Sequence, residues 1–184
     1  MKNATKILMA VAISLTALNA CKKKEPTPTP TPTKPIGVMM AKVNGKAWQS
    51  DPSSKFKIID GDTIPGIEFQ VNNDTLTLIA SQLSDTSVIF GFITLKQPRV
   101  GSYTGTTGGS TGLMLYVKPY NILNIIAALQ TTTTSYTFNI TKFDAASKKI
   151  SGTYSMTTTP LTGGGQATNI TEGEFTDVNY TVVP

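Results

Sequence analysis

Two stretches decide the fold: SYTFNIT at Ser135–Thr141 and ISGTYSMT at Ile150–Thr157. In the first, Tyr136, Phe138 and Ile140 alternate with Thr137, Asn139 and Thr141. In the second, Ile150, Gly152, Tyr154 and Met156 alternate with Ser151, Thr153, Ser155 and Thr157. A strand turns successive side chains to opposite faces. A strict two-residue period, apolar on one face and hydroxyl-bearing on the other, therefore marks half-buried antiparallel strands. Asp144 to Lys148 lies between the two stretches and reads as the turn that joins them.

The same grammar extends in both directions. MMAKV and KAW are separated by Asn44-Gly45, a dipeptide suited to a type I′ turn because both central positions need positive φ. GIEFQV and TLTLIAS are separated by Asn72-Asn73-Asp74, and Gly163-Gly164-Gly165 reads as a flexible loop before TNITEGEF. From Ile36 to Pro184 the chain is rich in Thr, Ile, Val, Tyr and Phe and punctuated by Gly and Asn, which is strand composition with turn signals. The expectation is a single all-β domain over residues 36–184. About nine or ten strands would form an antiparallel β-sandwich or a flattened β-barrel. YNILNIIAAL at Tyr120–Leu129 departs from the pattern. A short apolar run is compatible with a short helix or with a buried strand pair, and periodicity does not separate them. Left exposed, it would be the first candidate for a binding surface; otherwise it packs into the core or serves as a cover.

The N-terminal region is of another kind. Lys2 and Lys6 precede a charge-free run, Ile7–Leu18. The run is shorter than the roughly 20 apolar residues a spanning helix needs. It fits the apolar core of a secretory signal, about 7–15 residues. Leu18-Asn19-Ala20-Cys21 follows and resembles the lipobox of bacterial lipoproteins, in which the Cys thiol is lipidated and becomes the mature N-terminus. Cys21 is the only cysteine in the chain, and lipidation accounts for a thiol with no partner. Residues 1–20 are thus expected to be a cleaved signal peptide. Residues 21–35, ending KKKEPTPTPTPTKP, are expected to be a lipid-bearing tether. Alternating proline favours polyproline II at about 3.1 Å per residue, a reach of about 40 Å.

The formal charge of +5 belongs to this region. Ile36–Pro184 holds nine Lys and one Arg against ten acidic residues, so the domain is neutral. A neutral domain without a basic stripe argues against nucleic-acid binding. The lysines beside Cys21 would supplement a lipid anchor electrostatically.

Four further segments carry a resemblance. They are Met40-Ala41-Lys42-Val43-Asn44-Gly45-Lys46-Ala47-Trp48, Gly101-Ser102-Tyr103-Thr104, Ile140-Thr141-Lys142-Phe143-Asp144 running into Ile150-Ser151-Gly152-Thr153-Tyr154, and Ile170-Thr171-Glu172-Gly173-Glu174-Phe175. Together they resemble a family of small, functionally uncharacterised lipoproteins of Bacteroidota, over most of the chain except Gly112 to Thr134. The resemblance implies a β fold and a cell-envelope address, with no catalytic residues to carry over. Some lipoproteins of that group bear an acidic surface-export signal after the Cys. Here Lys22-Lys23-Lys24-Glu25 stands in that place, which leaves the periplasmic and surface faces of the outer membrane both open.

The chain contains no histidine. That removes Ser-His-Asp and Cys-His catalysis and His-ligated metals. With Cys21 committed to lipid, thiol chemistry goes as well. Asp60-Gly-Asp62 and Glu172-Gly-Glu174 are the close acidic pairs. Residues i and i+2 on a strand meet the spacing of glycosidase carboxyls, yet so does any strand with two acids. Asp60–Asp62 lacks the full oxygen set of a calcium loop. No cofactor or metal is expected. Asp62-Thr63-Ile64 and Asp74-Thr75-Leu76 resemble Asp-Thr-aliphatic acceptors of O-glycosylation.

Trp48 reads first as a core or rim anchor, its large ring buried and its N–H paired. Trp48, Tyr116 and Tyr120 are also the candidate ligand contacts, through ring stacking. The expected function is therefore non-enzymatic: a membrane-anchored module that binds an envelope protein or a glycan, or supports structure. The alternatives are a carboxylate-dependent hydrolase, or a lipocalin-like barrel around a small apolar ligand.

Overall fold

The computed structural model describes residues 35–53, 55–57, 63–82, 84, 86–94, 99–106, 112–118, 123–124, 132–160 and 167–183. The expected signal, Cys21 and most of the tether lie outside these residues. Among the described residues twelve strands run in chain order: β1 (Met39–Val43), β2 (Lys46–Gln49), β3 (Lys55–Lys57), β4 (Thr63–Pro65), β5 (Ile67–Asn72), β6 (Thr75–Gln82), β7 (Ser87–Thr94), β8 (Gly101–Thr106), β9 (Gly112–Val117), β10 (Thr132–Asp144), β11 (Lys149–Pro160) and β12 (Thr168–Val182).

Ten of them form one sheet in the order β8-β10-β11-β12-β5-β6-β7-β9, with the β1–β2 hairpin also on β12; β3 and β4 pair as a separate ribbon. The domain is all-β, as the composition implies. The main sheet meets the expected count, and the short ribbon adds two strands that the pattern did not announce. The expectation of antiparallel pairing holds everywhere among the described strands except between β12 and β5, which run parallel over Tyr180–Val182 and Phe69–Val71.

The sheet folds over on itself about β12. The β8-β10-β11-β12-β1-β2 half and the β5-β6-β7-β9 half enclose one interior, from Phe138, Phe175 and Ile150 on one side to Phe69, Leu78 and Met114 on the other. The alternation accounts for which residues enter it. Tyr136, Phe138 and Ile140 on β10, and Ile150, Tyr154 and Met156 on β11, are all 4% exposed or less. Their hydroxyl-bearing neighbours Ser135, Thr153, Ser155 and Thr157 face solvent.

Phe175 joins the halves. Its ring lies 5.0 Å from Phe138, 5.3 Å from Phe69 and 6.5 Å from Tyr154. Gly152 stands opposite Phe175 on the neighbouring strand, and the ring leans across the space its missing side chain leaves, a Cβ there falling 2.6 Å from Phe175 Cζ.

The turns behave as their chemistry requires. Asn44 and Gly45 take φ of 48° and 79°, both positive as a type I′ turn demands. The Asn44 side chain also reaches beyond its own hairpin, its Oδ1 accepting the Asn169 N–H at 2.8 Å and so fixing the turn to the start of β12. Asp144 Oδ1 accepts the N–H groups of Ala146 and Ser147, an Asx turn that closes the β10–β11 hairpin. In Tyr120–Leu129 only Leu123 and Asn124 are described; they are helical, and Leu123 is 74% exposed.

Candidate functional site

Trp48 does not offer its ring to a ligand. It is 3% exposed, belongs to the interior cluster, and donates its indole N–H to Ser87 Oγ at 2.8 Å. The anchor reading describes its place, and the stacking role is corrected. On β2 its neighbours Ala47 and Gln49 point outward, so alternation turns Trp48 inward under the sheet edge. Tyr116 is half-buried and packs on the same interior, and so does Tyr103, whose hydroxyl donates to the Arg99 carbonyl. Tyr120 lies outside the described residues, as do Asp60, Asp62 and Cys21. Asp74 is exposed and Thr75 half-buried at the β5–β6 turn, while Leu76 is fully buried.

The candidate surface is instead the outer face of β10, β11, β12 and β1. Three open depressions run across it. One of 300 Å³ lies between Ser135, Thr137, Ser155 and Thr171; one of 360 Å³ adds Asn139, Thr153 and Glu174; one of 390 Å³ lies beside Lys42 and Gln49. Neighbouring depressions share Thr137 and Ser155, then Glu172, so they form a chain across the strands. The sequence shows the polar half of this face in the two alternating windows of β10 and β11, though not its continuation over β12 and β1. Its groups are hydroxyls and amides. Several already bond across strands: Asn139 Nδ2 donates to Thr153 Oγ1 at 3.2 Å, and Thr157 Oγ1 to Asn169 Oδ1 at 3.1 Å. An exposed aromatic, Phe92, lies on β7 in the other half of the sheet.

The Glu172–Glu174 pair sits at the middle of this face. Glu172 occupies a bulge with φ of 52° and takes the Lys42 ammonium at 2.8 Å. Thr176 Oγ1 donates to Glu174 Oε1 at 3.4 Å. The pair lies on an open face rather than in a cleft that could exclude water.

A second polar cluster was not visible in the sequence. Lys142, Ser151 and Asp177 come from three adjacent strands. Lys142 Nζ donates to Asp177 Oδ1 at 2.9 Å and Ser151 Oγ to the same oxygen at 3.2 Å, while the Asp177 N–H donates to Ser151 Oγ at 2.8 Å. The members match a Ser–Lys nucleophile and base in kind only. The hydrogen bond and charge of Asp177 raise the Lys142 pKa, which keeps the ammonium protonated when a base must be neutral. The bond from Lys142 in turn holds the Asp177 carboxyl below its ordinary range.

One polar group of the interior stands out for its size and place. The Tyr154 hydroxyl is buried without a hydrogen-bond partner, and burial pushes its pKa far up. Tyr154→Phe keeps the ring against Phe175 and removes only this oxygen. Deleting an unsatisfied buried hydroxyl is nearly neutral or stabilising. We expect the variant's unfolding free energy, from denaturant titration, to equal or exceed the parent's by up to about 1 kcal/mol. A loss above about 1 kcal/mol would mean that the hydroxyl bonds an interior water.

Among the described residues no group of three or more acidic, His or Cys side chains is placed to hold a metal ion. Compared with family models, curated proteins and solved structures, the chain matches none.

Proposed function

We propose that this chain is a lipid-anchored lipoprotein of the bacterial cell envelope, held on the outer membrane, whose β domain is a non-catalytic binding or structural module on a Pro-Thr stalk. The observation that carries the reading is Leu18-Asn19-Ala20-Cys21 at the end of a charge-free run, with Cys21 the sole cysteine. Each buried CH₂ of an acyl chain contributes about 0.8 kcal/mol, so two or three chains hold a protein on a membrane without a spanning segment. The chemistry of the domain supports a role without catalysis. There is no imidazole, and the described Ser–Lys–Asp cluster is occupied in holding a strand bulge.

The surface offered to an envelope protein or a glycan is the hydroxyl-lined outer face of β10, β11, β12 and β1. With Trp48 and Tyr116 turned to the interior, a ligand there is held by hydroxyl and amide hydrogen bonds rather than by ring stacking. The filled interior around Phe69, Phe138 and Phe175 disfavours the lipocalin-like alternative among the described residues.

The test is metabolic labelling of the expressed full chain with an alkyne fatty acid in a bacterial host. The parent should take up label and partition into detergent, with its mature N-terminus at Cys21. Cys21→Ala should lose the label entirely and accumulate uncleaved. An unlabelled parent that is cut elsewhere would end the proposal.

A further inference from the structure

The last strand changes partners within a few residues. Up to Phe175 one edge of β12 is bonded to β1, with Met39 opposite Phe175; from Tyr180 it is bonded to β5, with Phe69 opposite Tyr180. On the other edge β11 stays paired across the change, but the register slips. Gly152 faces Phe175 and Ile150 faces Val178. Thr176 and Asp177 therefore bulge opposite Ser151, and Asp177 takes a φ of 49°. That conformation is uncommon outside glycine, although Asp tolerates it, and here side chains from the neighbouring strands bond the bulge.

Ser151 and Lys142 supply those bonds. Ser151 Oγ receives the Asp177 N–H at 2.8 Å and donates to Oδ1 at 3.2 Å, and Lys142 Nζ reaches the same oxygen at 2.9 Å. The segment arriving from the N-terminal side is fastened beside them, with the Gly37 N–H on the Thr176 carbonyl at 2.8 Å. Beyond the bulge, the backbone bonding of β12 to β5 is brief. Among the described residues it consists of the parallel pairing of Tyr180–Val182 with Phe69–Val71 and the bond from the Val183 N–H to the Val71 carbonyl.

We propose that Ser151, Asp177 and Lys142 form a charge-dependent pin on the crossover of β12, so that loss of the Asp177 charge loosens Val178–Val182 and its bonding to β5. Lys142 faces the carboxylate from β10 and Lys149 from β11, with Asp144 behind Lys142. The described residues around Gly37 bring no charged group. The bond from Lys142, with both lysines' charges, depresses the Asp177 pKa. A carboxylate depressed in the folded state gives its stabilisation in full above its unfolded value and loses it as pH falls through the folded one. The pin is therefore closed at neutral pH and opens below the ordinary aspartate value of 3.8.

Amide hydrogen exchange on the full chain in detergent, corrected for intrinsic rates, tests this. Asp177→Asn keeps the shape and one acceptor but removes the charge. At pH 7 it should speed exchange about threefold or more across 178–182 and 67–72, with 39–43 unchanged. Glu172→Gln removes the charge from the other bulge of β12 and should leave 178–182 at the parent's rate. The parent alone, taken from pH 7 to pH 3, should show the same local rise before any global one. The proposal falls if Asp177→Asn exchanges like the parent there, if Glu172→Gln has the same local effect, or if the parent's exchange rises uniformly on acidification.

Discussion

Replacing Phe175 by alanine is expected to destabilise the domain by about 3–5 kcal/mol, the range for deleting a buried ring. The site explains why the cost falls high in that range. Phe175 is 1% exposed and packs at once on Phe138, Tyr154 and Phe69, which belong to β10, β11 and β5. Removing it empties the point where the two halves of the sheet meet. Neighbouring rings cannot collapse into the gap without leaving their own strands, so a cavity remains and adds to the lost transfer energy. A domain of this size loses about 2–4 °C of melting temperature per kcal/mol, which puts the expected fall near 10 °C. Trp48, the only tryptophan and itself buried, reports the transition through its emission. Phe92→Ala is the reference. That ring is 43% exposed, and its removal should cost below about 1 kcal/mol. Equal losses for the two variants would show that Phe175 is not the junction described.

The strands were legible because their solution is local. Each alternating window chooses its buried face by itself, and the faces of Ser135–Thr141 and Ile150–Thr157 came out as the period required. Asn44-Gly45 was legible for the same reason, since positive φ at both positions is a property of the dipeptide. The two bulges of β12 were not. Glu172 and Asp177 are ordinary strand-face residues in sequence, and the contacts that accompany their left-handed backbone come from other strands: Lys42 on β1 for Glu172, and Ser151 and Lys142 on β11 and β10 for Asp177. The pairings Lys42–Glu172 and Lys142–Asp177 span 130 and 35 positions, so no window of sequence contains both members. The parallel junction of β12 with β5 escaped notice likewise, because β-composition says nothing about strand direction.

The candidate surface sits between these cases. Its hydroxyls are the polar half of a pattern read correctly strand by strand. That they align into one face depends on register, which the bulges shift. Trp48 was legible in its first reading, a core anchor with its N–H paired: alternation along four residues and the Ser87 hydroxyl place it inside, and ring stacking on a ligand is what the burial removes.

Gly152→Val is expected to prevent the domain from reaching its folded state, and Gly152→Ala to cost several kcal/mol. Gly152 lies between Asn139 and Ile140 on β10 and Phe175 on β12. A Cβ there would overlap the Asn139 carbonyl oxygen and stand 2.6 Å from Phe175 Cζ. The first obstacle is backbone and cannot move without opening the β10–β11 ladder. The second is the ring whose place over Gly152 allows it to stack on Phe138, and displacing it forfeits the aromatic contact as well. Overpacking costs about 1–3 kcal/mol where side chains can give, and the lost ring pair about 0.5–1.5 kcal/mol more. With backbone as the obstacle the overpacking cost exceeds its usual range, and the total approaches the roughly 5–15 kcal/mol that holds a domain together. Gly101 is the control. A Cβ there meets nothing nearer than the Tyr103 hydroxyl oxygen at 3.5 Å, an ordinary contact, so Gly101→Ala should leave the melting temperature within a few degrees of the parent's. Soluble yield and thermal melts of the three variants separate the outcomes. A Gly152→Ala chain that melts with the parent would mean that the Phe138–Phe175 stack does not depend on the missing side chain.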